Sequence, residues 1–423
     1  MGLSIYSVLS EGFTCPVRDF LWGHTYFTEE LAALTDSSPF MRLHRILQLG
    51  PVHRVYPGAT HTRASHSIGV YHLGRRLLQN LARDGSASWI SREGALSFLC
   101  ACLLHDLGHF PYTHSLKELP LRSHESLTGG LILKDPLRRL VGKCGADPEM
   151  AAAIVDRELP GDSAELLFYR RLLSGCLDPD KLDYLNRDAR CCGVPYGEQD
   201  VDFIFSRLVP SAERGADIDS RLIPNVEAIL FSKYLMYRTV YWHRQVRAAT
   251  SMIKKALINC LESGSIAAEE LYGLDDQTLF ALLTEKTGSA LADAVWNGRL
   301  YSAAAEIGFD EADHACLRDI GMRSRYEQRL AEELRRVGIP LSLEDLIIDV
   351  PEPISFETGL FVTDEDRNFA ESSSAFNAKT LDSFVKTLYT IRIFVRPEFC
   401  EKVETSHELS DILCKEKFWI RET

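Results

Sequence analysis

Residues 105–114 of the chain read His105-Asp106-Leu107-Gly108-His109-Phe110-Pro111-Tyr112-Thr113-His114. It follows the apolar run ALSFLCACLL (95–104), which predicts a core helix over about 92–107. A His–Asp pair at the end of a buried helix is costly unless both side chains are satisfied. A divalent cation satisfies both, because it accepts imidazole nitrogen and carboxylate oxygen as ligands. The alternative is an ordinary helix end, where the helix dipole favours His105 and Asp106 caps the next turn.

The histidines of the chain are concentrated around this stretch. Ten of the thirteen lie between His24 and His124. Core histidines usually occur alone, so this density predicts a site in which imidazoles bind metal or contact phosphate. His66 lies upstream in YPGATHTRASHS (56–67), a turn that runs into a predicted helix. With His66 upstream and the acidic segment DPDKLDYLNRD (178–188) downstream, the metal interpretation is favoured over the ordinary helix end.

The acidic segment predicts a helix that begins near Pro179. Asp180, Tyr184 and Asp188 are spaced i, i+4 and i+8, so they lie roughly on one face. One carboxylate could complete a metal shell, and another could accept a hydrogen bond from a substrate hydroxyl. The alternative is an exposed helix start, where the dipole favours acids in the first turn.

A basic stretch lies further along the chain. Residues 232–261 contain no Asp or Glu, although the whole chain has 60 acids. Cations interleaved with aromatic residues are suited to a nucleotide, because the cations bind phosphates and the aromatics pack on base or sugar. The candidates for these contacts include Arg238, Tyr241, His243 and Arg244. The alternative, which suits Lys254 and Lys255, is a helix whose cations pair with acidic residues elsewhere in the protein.

The composition limits the class of protein. The chain has 423 residues, of which 45% are hydrophobic and 25% charged, so a disordered or collagenous protein is excluded and two or three domains are expected. Its net charge of −13 argues against a protein that coats nucleic acid or an anionic membrane. Eleven cysteines without a CxxC pattern indicate reduced thiols, and no signal peptide or membrane-spanning segment is visible. We therefore expect a cytoplasmic protein.

The hydrophobic pattern predicts a mainly α fold with a smaller α+β C-terminal region. Helices are expected from residue 68 to about 83–85, at 92–107, 146–157, 163–174, 179–190 and 226–263, and over most of 275–338. Strands are expected near 346–350, 358–364 and 388–396.

The order His66, His105-Asp106, Asp180 resembles the H…HD…D signature of the HD-domain metal-dependent phosphohydrolases, which act on many substrates. The surrounding sequence is more specific. FMRLHRILQLG (40–50), the segments quoted above and His124-Glu125 are similar to the deoxynucleoside triphosphate triphosphohydrolase branch, which includes the animal SAM-and-HD-domain dNTPase and bacterial relatives. The likeness covers about residues 20–265, and the tail resembles bacterial members. It implies a catalytic region at 1–270 with its HD core at about 60–190, a helical connection at 271–340, and a small α+β region at 341–423.

Carried over residue by residue, the resemblance implies a metal site and a substrate site. The residues that match the metal ligands are His66, His105, Asp106 and Asp180. The implied ion is divalent, and its identity is left open among Mn, Mg, Fe, Zn and Ni. The residues that match catalytic positions near the phosphates are Arg63, His109, His114, His124 and Glu125, with His124 as proton donor or charge stabiliser for the leaving oxygen. The predicted substrate-binding residues are Gln48 and Leu49 at the sugar, Asp188 at the 3′-hydroxyl, Tyr241 against a 2′-hydroxyl, and Lys181, Tyr184, Arg238, His243 and Arg244.

Two parts of the chain depart from the family pattern. Family members commonly have an acid where this chain has Lys117, and Glu118 follows it, so Glu118 as the acidic partner of His124 is left open. Activated members bind a regulatory nucleotide near the segment matched by 36–44, where Met41 and His44 replace a polar residue and an arginine. The need for an activator is therefore also left open.

The resemblance implies hydrolysis of deoxynucleoside triphosphates to deoxynucleosides and inorganic triphosphate. The alternatives are an HD phosphohydrolase acting on another nucleotide or a nucleic-acid end, and a non-catalytic nucleotide-binding regulator. An intact ligand set argues against the regulator. Family dimers and tetramers imply a homo-oligomer. Nucleic acid ranks below nucleotides as a ligand, because the net charge opposes it.

Overall fold

The computed structural model describes residues 4–83 and 87–406. Helices predominate and the sheets are small, so the predicted fold class, mainly α with a small α+β region, is confirmed. The first elements are α1 (Ile5–Val8), β1 (Cys15–Asp19), β2 (Gly23–Phe27), α2 (Glu29–Thr35), α3 (Ser38–Leu43) and α4 (Arg63–Leu81). They are followed by α5 (Arg92–Leu104), α6 (His124–Ile132), α7 (Leu137–Lys143), α8 (Pro148–Val155), α9 (Ala164–Leu173) and α10 (Pro179–Cys192).

Helices α4, α5 and α10 form the centre of the fold. α4 packs against both of the others, and α5 is buried along nearly its whole length, as its apolar sequence predicts. The side chains of Thr62, Ser91 and Asp178 accept hydrogen bonds from the first-turn backbone amides of α4, α5 and α10. The helices predicted at 146–157, 163–174 and 179–190 are confirmed as α8, α9 and α10. α4 ends at Leu81, and residues 84 and 85, near its predicted end, lie outside the described residues.

The next part contains α11 (Val201–Arg207), β3 (Val209–Ser211), β4 (Gly215–Asp217), α12 (Ile223–Met236), α13 (Arg244–Glu262), α14 (Asp276–Ala281) and α15 (Ala290–Trp296). The single helix predicted at 226–263 is wrong. A π-helical turn at Tyr237–Tyr241 follows α12, and His243 caps α13 by accepting a hydrogen bond from the backbone N–H of Gln245 at 3.3 Å. No Gly or Pro marks this break, so the helical periodicity did not show it. Within 4–83 and 87–406, none of the helices is long and apolar enough to cross a bilayer.

The C-terminal part consists of β5 (Ser302–Gly308), α16 (Glu311–His314), α17 (Ile320–Arg336), β6 (Leu346–Asp349), β7 (Phe361–Val362), β8 (Arg367–Asn368), α18 (Ala378–Leu388), β9 (Thr390–Val395) and α19 (Cys400–Glu404). Strands β5, β9 and β6 form an antiparallel sheet in that order. The strands predicted at 346–350 and 388–396 are confirmed as β6 and β9, whereas the one at 358–364 is reduced to β7. The helical prediction for 275–338 is wrong at β5, whose alanine-rich sequence resembles a helix. Residues 407–423 of the predicted α+β region lie outside the described residues.

Buried ion pairs join α13 to the C-terminal part. The pairs are Arg247–Asp349 at 2.6 Å, Lys254–Glu352 at 2.9 Å and Lys255–Glu327 at 2.8 Å. A buried cation needs such a partner, because desolvation of an unpaired charge is very costly. The alternative interpretation of the basic stretch is therefore confirmed for Lys254 and Lys255, and it extends to Arg247.

Candidate metal centre

The ends of three helices bring the predicted metal ligands together. His66 lies near the start of α4, His105 and Asp106 follow α5, and Asp180 is the second residue of α10. One nitrogen of each histidine and one carboxylate oxygen of Asp106 lie within 4.8 Å of one another. Asp180 Oδ1 lies 2.9 Å from His66 Nε2 and 3.8 Å from His105 Nε2. Four side chains from distant parts of the chain thus converge.

The two imidazoles are oriented to bind a cation. His105 Nδ1 lies 2.9 Å from the carbonyl oxygen of Cys102, and His66 Nδ1 lies 2.8 Å from Asp183 Oδ2. Because a carbonyl and a carboxylate only accept hydrogen bonds, Nδ1 donates in each case and Nε2 is the nitrogen available as a ligand. His105 Nε2 is buried without a hydrogen-bond partner among the described residues. Two imidazoles and two carboxylates are a donor set that fits a divalent ion.

The surroundings of His66 favour positive charge. Burial alone lowers the pKa of His66, but hydrogen bonds to Asp180 and Asp183 raise it to about 10. A nitrogen of this ring and a carboxylate oxygen 2.9 Å apart must share either a proton or a metal ion. The centre therefore fits a cation in electrostatics as well as in geometry.

A fully buried acid without a predicted role, Asp183, holds His66 in place. Its carboxylate accepts hydrogen bonds from Arg187 Nε at 2.8 Å and Arg187 Nη2 at 2.9 Å, and from Trp22 Nε1 at 2.5 Å. Arg187 in turn donates to Asp19 Oδ2 at 2.9 Å. An outer carboxylate of this kind fixes the tautomer and orientation of an imidazole ligand. The only signal in the sequence was an aspartate three residues after the ligand of α10.

Arg63 and three histidines lie beside the ligand group. Arg63 Nη1 donates to Asp106 Oδ2 at 2.7 Å. His109 Nε2 lies 3.1 Å from His114 Nε2, and the ring centroids of His109 and His124 are 3.9 Å apart. His109 is fully buried behind the other two rings. The sequence therefore predicted the cluster, but only two of its three imidazoles face open space.

The acidic partner of His124 is Glu125, whose Oε2 lies 3.1 Å from His124 Nδ1. Glu118, which the sequence left open for this role, instead lies 2.7 Å from Lys254 Nζ and also pairs with Arg323. Burial lowers the pKa of His124 to about 3, so its imidazole is neutral near pH 7.

The loop between His105 and His109 is held from two sides. Arg42 donates hydrogen bonds to the carbonyl oxygens of Leu107 and His109. A Cβ at Gly108 would overlap the carbonyl oxygen of His124, so only glycine lets α6 approach this closely. The glycine of the quoted stretch therefore positions the histidine cluster.

A cavity of about 570 Å³ opens at the ligand group. The predicted metal ligands all line it, and so do Arg63, His114, His124, Glu125, Gln48, Leu49, Lys181, Tyr184, Asp188 and Tyr241. Asp188 Oδ2 accepts a hydrogen bond from the Tyr241 hydroxyl at 2.6 Å, and Asp188 Oδ1 lies 2.8 Å from His61 Nε2. Burial lowers the pKa of His61, but its hydrogen bond to Asp188 contributes to raising it to about 9. His61 had no predicted role and is a positioning partner of Asp188.

Three predicted substrate contacts lie outside this wall. Arg238 donates to the Tyr234 hydroxyl, His243 caps α13, and the side chain of Arg244 is exposed. Their prediction as substrate-binding residues has no support from this arrangement. The sequence also missed part of the wall, because Glu352, Pro353, Ile354 and Glu357 come from the C-terminal part of the chain.

Comparison with known proteins gives two matches to family models. An HD domain matches residues 63–186, a range that contains the four predicted ligands. An HD associated region matches residues 207–414. The chain belongs to the HD-domain phosphohydrolase family. The predicted resemblance to the HD-domain phosphohydrolases is thereby confirmed.

Several relatives of this HD-domain chain share its fold or sequence. It is 35% identical to the uncharacterized protein YwfO of Bacillus subtilis over 231 residues, which are 53% of this chain and 50% of that protein. It is 26% identical to the deoxynucleoside triphosphate triphosphohydrolase SAMHD1 of Bos taurus over 308 residues, covering 64% of this chain and 52% of that protein. The crystal structure of a hypothetical protein from Aquifex aeolicus superposes with a TM-score of 0.71 at 26% identity, covering 92% of this chain and 98% of the other. The chain spans about half the length of the curated relatives it matches.

Proposed function

We propose that this HD-domain chain hydrolyses deoxynucleoside triphosphates to deoxynucleosides and inorganic triphosphate. The observation that supports this best is one cavity whose wall combines the ligand group, Arg63 with two imidazoles, and the hydrogen-bonded pair Asp188–Tyr241. The name of the bovine relative, a deoxynucleoside triphosphate triphosphohydrolase, agrees with the proposal. A divalent ion held by the four ligands would polarise a phosphoryl oxygen and lower the pKa of its bound water.

The phosphates would lie against the part of the cavity wall formed by the metal ligands and Arg63. A triphosphate carries about four negative charges, and a chain with a net charge of −13 would repel it without local cations. Arg63, already aligned on Asp106, would neutralise charge on the phosphoryl oxygens. In the reaction, a water oxygen bonds to the α-phosphorus, the bond from that phosphorus to the 5′-oxygen breaks, and the leaving oxygen takes a proton. We assign that proton to His124, whose pKa a bound polyphosphate would raise.

Other residues of the cavity wall would distinguish deoxyribose from ribose. Asp188 would accept a hydrogen bond from the 3′-hydroxyl, and the Tyr241 ring would occupy the space of a 2′-hydroxyl. Gln48 Oε1 is a buried acceptor without a hydrogen-bond partner in the described part of the chain, so it is available to a sugar hydroxyl.

The test is product analysis with all eight common NTPs and dNTPs, in Mn²⁺ and in Mg²⁺. We expect deoxynucleoside and triphosphate from dNTPs, slower turnover of NTPs, and neither turnover nor metal loading in His105→Ala and Asp106→Ala. His243→Ala, outside the cavity wall, is the matched control and should stay active. Equal rates with NTPs would favour an HD phosphohydrolase for another nucleotide. Tight nucleotide binding without any product would favour the regulator.

We also propose that the chain acts as a cytoplasmic homo-oligomer, a dimer or tetramer. All cysteines among the described residues are free, which agrees with a reducing compartment. Analytical ultracentrifugation would test the assembly, and a monomer at micromolar concentration would contradict it.

A further inference from the structure

An irregular segment of the C-terminal part, residues 350–360 between β6 and β7, forms one side of the cavity. We call this segment the strap. The strap residues that line the cavity are Glu352, Pro353, Ile354 and Glu357. One end of the strap is fixed by Glu352, which pairs with Arg247 at 2.7 Å. The other end leads into Phe361, whose carbonyl oxygen accepts a hydrogen bond from the backbone N–H of Ile218 at 3.0 Å. The strap is therefore fixed at both ends and has no regular structure between them.

Two lysines of the cavity wall hold the middle of the strap. Lys233 Nζ of α12 donates to the carbonyl oxygen of Ser355 at 2.8 Å, and Lys181 Nζ of α10 lies 2.8 Å from Glu357 Oε2. The Cys176 thiol, a weak donor, adds a hydrogen bond to the carbonyl oxygen of Glu357 at 3.1 Å. Because both lysines line the cavity, an anion bound there would compete with the strap for the same cations.

Lys181 has two acidic partners, and they differ in how firmly they are held. Asp178 Oδ2 lies 2.8 Å from Lys181 Nζ, and Asp178 Oδ1 caps α10 by accepting a hydrogen bond from the backbone N–H of Lys181 at 2.6 Å. The Asp178 side chain is 1% exposed, whereas that of Glu357 is 45% exposed and belongs to the strap. A partly exposed ion pair contributes little to stability, so it can be exchanged at small cost. Asp178 therefore stays with the helix, and Glu357 is the partner that another anion can replace.

We propose that the Glu357 carboxylate occupies a phosphate position at Lys181 in the ligand-free chain, and that a triphosphate binds by displacing it together with the middle of the strap. The inference rests on the proposed function, which places a polyphosphate in this cavity. A phosphate at Lys181 and the Glu357 carboxylate would repel each other at close range, so both cannot be bound at once. After hydrolysis the returning carboxylate competes with the triphosphate product and promotes its release, a step that limits turnover in many enzymes.

The test is calorimetric titration of the Mn²⁺-loaded full chain, freed of unbound metal, with inorganic triphosphate and with orthophosphate. We expect Glu357→Gln to bind triphosphate about 5–30-fold more tightly than the wild type, because one ion pair no longer has to break. Orthophosphate can bind at the metal centre without displacing Glu357, so its affinity should not change. The matched control is Glu371→Gln, an exposed acid of the C-terminal part that does not line the cavity. This control removes the same charge and should keep the wild-type affinity for both anions.

A second pair of variants isolates the contact itself. In Lys181→Met the carboxylate has lost its partner, so adding Glu357→Gln should tighten triphosphate binding much less than it does in the wild type. Equal triphosphate affinity in Glu357→Gln and the wild type would overturn the proposal. The same gain in Glu371→Gln, or a full gain in the Lys181→Met background, would reveal an effect of net charge alone and would also overturn it. The titrations involve no turnover, so displacement can be found where dNTP hydrolysis fails, and hydrolysis can be found where displacement fails.

Discussion

Replacing Gly69 with alanine should disrupt the metal centre without changing any ligand. Gly69 lies on α4 one turn after His66, and a Cβ there would overlap Asp183 Oδ1 and Arg187 Nη2 and lie 2.5 Å from Asp183 Cγ. These atoms belong to the buried ion pair that orients His66. Because α4 and α10 are both packed in the core, the pair must move away and lose its contact with the imidazole.

The expected change in the free energy of unfolding combines three contributions: overpacking, disruption of the ion pair and the higher helix propensity of alanine. Overpacking a core position costs about 1–3 kcal/mol, and breaking a buried ion pair costs about 3–5 kcal/mol. Replacing glycine by alanine inside a helix recovers about 0.5–1 kcal/mol. Since the ion pair is displaced but not removed, we expect a net loss of roughly 3 kcal/mol in the free energy of unfolding. Metal affinity should fall by about 10–100-fold, the usual effect of losing an outer partner of a histidine ligand.

The assay is urea unfolding together with Mn²⁺ titration of Gly69→Ala. The matched control is Gly142→Ala on α7, an exposed helical glycine whose Cβ would meet no atom within 4 Å. The control should keep wild-type metal affinity and unfold at the same or a slightly higher urea concentration. If Gly69→Ala behaves like the control in both measurements, the role given to Asp183 is refuted.

Three further predictions concern other parts of the molecule. Asp183→Asn keeps the shape of the side chain but removes its charge, so Mn²⁺ affinity should fall by about 10–100-fold, and unchanged affinity in calorimetry would contradict this. Tyr241→Ala should reduce the preference for dNTPs over NTPs, whereas Tyr241→Phe, which keeps the ring, should retain it. The measurement is kcat/KM for a dNTP divided by kcat/KM for the matching NTP, and an equal quotient in the two variants would contradict the role of the Tyr241 ring. Burial raises the pKa of Glu352, but Arg247 and Lys254 lower it to about 2, below its ordinary value. The contribution of Glu352 to the free energy of unfolding is therefore present above about pH 4.5 and is lost as the pH falls towards 2. In urea unfolding, the free energy of unfolding of Glu352→Gln should fall by about 2 kcal/mol less between pH 7 and pH 3 than that of the wild type. Equal decreases in the two proteins would refute the pairing.

The metal ligands and the central helices could be predicted because the sequence marks both. Each predicted ligand lies at or near the end of a helix whose periodicity or apolar run is visible, and helix ends are where side chains from distant segments can meet. The apolar run at 95–104 places His105 and Asp106 in the core, and Pro179 sets the start of the helix that carries Asp180. The predictions for Arg63, His114, His124, Gln48 and Leu49, which line the cavity near these ligands, came from the family resemblance.

The remaining features depend on tertiary contacts that no local pattern records. Asp183 differs from an exposed helical aspartate through its partners His66, Arg187 and Trp22, which come from other turns and other segments. The π turn at Tyr237–Tyr241 ends at the tyrosine whose hydroxyl donates to Asp188 Oδ2 at 2.6 Å, and functional sites often contain such turns. β5 is a strand because it pairs with β9, despite its alanines. In the same way, Arg247 and Lys254 of α13 pair with acidic residues about 100 positions further along the chain, Asp349 and Glu352.

Hydrolysis at the α-phosphorus can be followed with ¹⁸O-labelled water and ³¹P nuclear magnetic resonance. The Mn²⁺-loaded chain is incubated with the dNTP that it turns over fastest, and the products are identified with the position of the label. Attack of water on the α-phosphorus predicts inorganic triphosphate carrying ¹⁸O on a terminal phosphorus, together with unlabelled deoxynucleoside. Deoxynucleoside monophosphate with pyrophosphate, or label in the deoxynucleoside, would contradict the account.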